Sequence, residues 1–147
     1  MFGELLKKLS GSEPAPLGHG DARLALTALL VRCARTDHDY TQEEMSLIDK
    51  IIAARFDLTP FEAAVLRGEG EMLEAEAPDT VRFTRAIKDA VAHEDRIAVV
   101  EALWQVVLAD GSRDVHEDAL LRMVVRLLGI PDKESALARR RVEAASR

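Results

Sequence analysis

Cysteine and aromatic residues are scarce in this sequence, and its positive charges are outnumbered by its negative ones. Its 147 residues hold one cysteine, one tryptophan, one tyrosine and four phenylalanines. A single cysteine excludes an internal disulfide and any cysteine-rich zinc site. Cys33 stands among Leu29, Leu30 and Val31, the setting of a small buried apolar residue. No segment alternates polar and apolar residues long enough to make a strand, so an all-helical chain is expected. No apolar run approaches the roughly 20 residues needed to span a bilayer. The N-terminus lacks the apolar stretch and cleavage site of a signal peptide, which makes the cytoplasm the expected compartment. The net charge is −6. That argues against sequence-independent binding to nucleic acid or anionic lipid and suits a cation. There is no nucleophile elbow, phosphate-binding loop, dinucleotide fingerprint or HExxH motif. The chain therefore reads as non-enzymatic, with no catalytic residue.

The abundant residues are Leu, Ala and Val, and the chain is 48% apolar and 31% charged. That balance fits one soluble globular core. Residues 1–20 read as a short helix, with Phe2, Leu5, Leu6 and Leu9 on one face, followed by a Gly/Pro-rich linker from Gly11 to Gly20. Residues 21–147 read as the helical domain. Leu26, Leu29, Leu30 and Cys33 follow helical spacing. Thr41 to Glu44 and Thr59 to Glu62 are capping boxes, the second with Pro60 at the favoured first helical position. The helix after Thr59 is expected to turn Phe61, Ala64, Val65 and Met72 inward, with Gly68 and Gly70 as weak points. A further helix from Pro78-Asp79 points Phe83, Ile87, Ala90 and Val91 inward. His93-Glu94-Asp95 marks either a turn or a kink within one helix. Ile97 to Leu108 is apolar on nearly every side, as a central helix is. Leu120 to Leu128 then ends at Gly129, and Pro131 starts the last helix. The sum is a compact bundle of about seven or eight helices.

The chain repeats itself without a gap: DHDYTQEEMSLI from Asp37 falls on DGSRDVHEDALL from Asp110. Upstream, Leu24, Ala25, Leu26 and Leu30 fall on Ile97, Ala98, Val99 and Leu103 at the same offset. A helix–acidic turn–helix unit thus occurs twice, and a pseudo-two-fold bundle is expected, with the two apolar helices at its centre.

Those turns carry the candidate site. Thr41 with Glu44, and Asp114 with Glu117, are explained by helix capping. Asp37, Asp39 and Asp110 are not. They follow the C-terminal ends of helices, where the dipole disfavours negative charge, and so call for a cation or an arginine such as Arg35, Arg113 or Arg122. Asp110, Ser112 and Asp114 have the 1, 3, 5 spacing of a calcium loop, as do Asp37, Asp39 and Thr41. Neither turn is an EF-hand, since position 6 is Gln42 or Val115 and position 12 is Ile48 or Leu121. A divalent-cation site shared by Asp37, Asp39, Glu44, Asp110, Asp114 and Glu117 is one reading. Capping with salt bridges is the other. The acidic run that includes Glu71, Glu74 and Glu76 is either a solvated helix face or a docking surface for a basic protein partner.

The segments LLVRCARTDHDYTQEEMSLIDKII and, above all, EALWQVVLADGSRDVHEDALLRMV resemble the TerB family of tellurite-resistance-associated proteins, over roughly Asp21 to Ala138. The resemblance implies an all-α domain of bacterial stress systems, in the cytoplasm or at the inner membrane face. It also implies divalent cations, calcium especially, at the acidic turns, and partners in membrane-linked complexes. On the family pattern Asp37, Glu44, Asp110 and Glu117 carry over. His38, where the family pattern has glycine nearby, sets the first turn apart.

Overall fold

The computed structural model describes residues 19–35, 40–76, 80–109 and 115–145, with the side chains of 19–21 and 115–118 left out. Seven helices are described: α1 (His19–Ala34), α2 (Gln42–Phe56), α3 (Pro60–Glu76), α4 (Thr80–Ala90), α5 (His93–Ala109), α6 (Val115–Leu127) and α7 (Asp132–Ala145). The described residues contain no strand. The expected short helix over residues 2–9, nearly all of the linker, and the Pro78-Asp79 helix start lie outside them. α1 starts inside that linker, at His19.

α1 and α5 are the centre of the fold because they offer apolar side chains all round. Leu24 to Val31 are buried without a break, and Val99, Val100, Leu103, Trp104 and Val107 are buried on α5. Cys33 is buried as well. α3 lies along α1, and α7 lies along α5. The duplication therefore spans three helices: α1, α2 and α3 correspond to α5, α6 and α7, and α4 joins the halves. The cross-contacts agree, since α1 touches α6 and α2 touches α5.

The helix ends follow local chemistry. Glu44 N–H donates to Thr41 Oγ1 (3.1 Å), and Thr41 N–H donates back to Glu44 Oε1 (2.9 Å). Thr59 and Glu62 make the same reciprocal pair at 3.1 Å and 2.9 Å. These bonds hold the Glu62 carboxyl below its usual range, the backbone donor of Thr59 contributing most. Gly129 ends α6 with φ 74°, a left-handed position suited to glycine. The Ile130 N–H reaches back to Val125 O (3.1 Å).

Two expectations are corrected. His93, Glu94 and Asp95 are not a turn but the start of α5. The break falls at Val91-Ala92, where Ala92 O accepts from the Asp95 and Arg96 N–H groups, and acidic residues suit a helix N-terminus. α6 begins at Val115, within the Asp114–Glu117 capping box expected from the sequence, and so takes in the expected apolar run from Leu120. The second correction concerns α3, which faces the other way. Phe61 is 77% exposed and Met72 58%, and Val65 is exposed too, while Ala63, Gly70 and Leu73 are buried. α3 lies so close to α1 that its inner stripe has room for small residues and one leucine. Gly68 and Gly70 do not interrupt the helix.

Candidate functional site

The two acidic turns are bounded by residues at one end of the bundle. Leu47, near the start of α2, shares a cleft with Leu108 and Ala109 at the end of α5, and Arg55 on the last turn of α2 shares it with Glu101. α2 thus runs antiparallel to α5. Ala22 and Leu26 of α1 line a second cleft with Asp95, Ala98 and Val99 of α5, so α1 and α5 begin together. Arg55 and Phe56, at the end of α2, line the same cleft, and α2 begins at Gln42, soon after α1 ends at Ala34. α1, like α5, therefore runs against α2, and segments 36–39 and 110–114 are entered from the same end.

Asp37, Asp39, Asp110 and Asp114 lie outside the described residues. Glu117 falls on α6, with its side chain also outside them. Of the six proposed ligands only Glu44 is described in full. Its Oε1 accepts from the backbone N–H and the hydroxyl of Thr41 (2.9 and 3.2 Å), the capping role expected of it. Among the described residues no group of three or more His, Cys, Asp or Glu side chains converges as a metal site. Six carboxylates would make an all-oxygen donor set, which suits a hard cation such as Ca²⁺.

What is well described is the frame around the first turn. Arg32 is the one charged residue between Leu24 and Ala34. Its Nε donates to Glu74 Oε2 (3.1 Å), Nη2 to Glu74 O (3.0 Å) and Nη1 to Thr80 Oγ1 (3.2 Å), and its guanidinium lies 5.0 Å from the centre of the Phe83 ring. Arg35 stands 3.2 Å from Glu74 Oε1, an ion pair without hydrogen-bond geometry, and stacks over the Tyr40 ring at 5.1 Å. Across the turn, Tyr40 O–H donates to Glu71 Oε2 (2.6 Å). Arg67 bridges Glu71 Oε2 (2.9 Å) and Asp49 Oδ1 (2.6 Å). Burial, then the bond to the Glu71 carboxylate, push the Tyr40 phenol well above its ordinary value. Burial draws Arg67 down, but its two carboxylate partners outweigh this and raise it.

The acidic run on α3 is therefore divided. Glu71 and Glu74 turn inward and tie both ends of the first turn to α3, while Glu69 and Glu76 are exposed. A signal for this was present in the sequence. A lone arginine on an otherwise apolar helix demands a buried acceptor, and Arg67 with Glu71 is an i, i+4 pair. The second half has its own ties. Arg96 Nη1 donates to Leu128 O at the end of α6 (2.7 Å), Trp104 Nε1 to Ser135 Oγ (3.2 Å), and Arg141 Nε to Glu101 Oε1 (3.0 Å).

An all-α domain of two three-helix halves, each with an acidic turn after its central helix, is the class that fold and site define. The family model of tellurite resistance protein TerB matches residues 23–140, most of the chain. The chain belongs to the TerB family. No curated protein and no solved structure gives a significant match. No described helix is long and apolar enough to cross a membrane.

Proposed function

We propose that this chain is a non-enzymatic module, associated with tellurite resistance and stress, that binds a divalent cation at its paired acidic turns and docks a protein partner. The parallel course of α1 and α5 carries the reading, because both turns are then bounded at one end of the bundle. Asp37, Asp39, Glu44, Asp110, Asp114 and Glu117 would hold the ion, with Ca²⁺ the first candidate. Its charge would offset acids that follow helix C-termini, where the dipole opposes them. The Arg32–Glu74 and Tyr40–Glu71 contacts support the same reading. They fix to α3 the described residues on either side of segment 36–39.

Calorimetric titration of the chelator-stripped protein with Ca²⁺, Mg²⁺, Mn²⁺ and Zn²⁺, beside Asp110→Asn, tests this. Saturable Ca²⁺ binding that weakens in the variant is the expected result. Absence of heat with every metal at millimolar concentration would sink the cation reading.

A second reading keeps the domain as a purely structural interaction module whose acids only cap helices. The bonds of Glu44 to Thr41 favour it. Partner capture that ignores chelators and is lost when Glu71, Glu74 and Glu76 become lysine would select it. Because Glu71 and Glu74 also hold the fold together, Glu76→Lys alone must reproduce part of the loss.

A further inference from the structure

A cleft of about 490 Å³ opens at the other end of the molecule from the acidic turns, where α1 and α5 begin and α2 ends. That volume lies within the roughly 300–1,000 Å³ of small-molecule sites. Its inner wall is apolar, made by Leu26, Ile87, Val91 and Val99, and two guanidiniums, those of Arg23 and Arg55, stand at it. Neither has an ion-pair partner among the described residues, in a chain that carries an excess of acids. Arg23 lies over the Phe56 ring, 5.1 Å from its centre. Arg55 is half-buried, and its buried Nε has no hydrogen-bond acceptor among the described residues. The acid whose charge acts on it, Glu101, is already bonded to Arg141. Burial lowers Arg55 below its ordinary value, the mark of a cation held out of water without enough compensation. Arg55 stands in the last turn of α2. The helix dipole favours a positive charge there, but it does not supply the missing acceptor.

Half-buried arginines elsewhere in the chain are tied, Arg32 to Glu74, Arg67 to Asp49 and Glu71, Arg139 to Glu143 and Arg96 to Leu128 O, whereas Arg85, Arg122, Arg126 and Arg140, which have no carboxylate partner among the described residues, are exposed to water. Arg55, half-buried beside an apolar cleft and without an acceptor for its Nε among the described residues, is the exception that asks for one from outside, with the exposed Arg23 on the same cleft. We propose that this cleft binds a small amphiphile with an anionic head, its carboxylate or phosphate held by Arg55 and Arg23 and its apolar tail laid against Leu26, Ile87 and Val99. Asp95, which also lines the cleft, repels a second anionic group and favours ligands charged at one end only.

The test uses the full chain and three probes of equal tail length below their micelle-forming concentrations: decanoate, decyl phosphate and decyltrimethylammonium. Binding is read by calorimetry and by methyl NMR shifts of Leu26, Ile87 and Val99. The expected result is saturable binding of one or both anions, with shifts confined to those methyls, and none for the cation. Preference between the two anions separates a carboxylate ligand from a phosphate-headed one. Arg55→Gln should weaken the preferred anion about tenfold or more, the size of a lost charge-assisted hydrogen bond. Ala98→Leu, which fills the cleft and leaves both arginines in place, should block it as well. Equal binding of the cation, anion binding unchanged in Arg55→Gln with the fold intact, or no binding of any probe would each overturn the proposal. The Asp110→Asn variant should bind the anions like the wild type, which keeps this site separate from the acidic turns.

Discussion

Gly70 of α3 lies against Thr27 of α1 so closely that a Cβ at residue 70 would stand 2.7 Å from Thr27 Cγ2 and 3.2 Å from the Ala28 nitrogen. Thr27 cannot easily move aside, because it is fully buried and its hydroxyl donates to Arg23 O (2.8 Å). Gly70→Ala should therefore destabilise the domain. The overpacking cost of about 1–3 kcal/mol exceeds the helix-propensity gain of about 1 kcal/mol. Gly68, on the same helix, has nothing within 4 Å of its would-be Cβ. Gly68→Ala should stabilise by about 0.5–1 kcal/mol. Urea unfolding of the pair gives opposite shifts if the helix contact is as described, and equal shifts would refute it.

Inversion of α3 makes a second contrast. Phe61 lies on the exposed face of the helix and Leu73 is fully buried. Phe61→Ser should change stability by no more than about 0.5 kcal/mol. Leu73→Ala should cost about 2–5 kcal/mol. Thermal and urea unfolding read both, and a large loss in Phe61→Ser would mean that the outer face of α3 is covered.

Glu74 is the acceptor for Arg32 and lies beside Arg35, with its side chain 12% exposed. Glu74→Ala removes the carboxylate partner of both guanidiniums, while Arg32 keeps its bonds to the residue 74 carbonyl and to Thr80. Its cost should fall between the ~1 kcal/mol of exposed pairs and the ~3–5 kcal/mol of buried ones broken on one side. The double variant with Arg32→Met should lose less than the sum of the singles, which a double-mutant cycle measures.

Tyr40 predicts an alkaline effect. Its folded pKa is raised above the ordinary phenol value, so the unfolded chain gives up the phenolic proton first. The contribution is complete below the unfolded value and is lost as pH climbs from there toward the folded one. Because the chain has a single tyrosine, phenolate absorbance should rise only together with unfolding, as followed by circular dichroism across the same pH range. Tyr40→Phe should flatten part of the alkaline loss of stability. Phenolate signal in the intact fold would contradict the Tyr40–Glu71 bond.

Much of the architecture was legible in the sequence. Capping boxes at Thr41 and Thr59, and the stop at Gly129, are borne out. They are set by neighbours a few positions away, so local sequence suffices to find them. α1 and α5 announced themselves by being apolar all round, and the duplicate aligned two halves whose helices pack in matching pairs. The direction of α3 was not legible. Hydrophobic periodicity weighs large residues, and the face chosen here is the one whose small residues let two backbones approach. The sequence signalled that Arg32 needs a buried acceptor but not which acid supplies it, because Glu74 sits far away in the chain, on α3.

The sequence by itself determined an all-α chain, its helix caps, its duplication and its TerB kinship, since these rest on short-range chemistry and on pattern. Only the tertiary structure decided which face of α3 is buried, which acids are spent on internal ion pairs, and which arginines are left facing a cleft. Those outcomes depend on how closely α1, α3 and α5 pack and on which charges meet across them, and neither is written in any one segment.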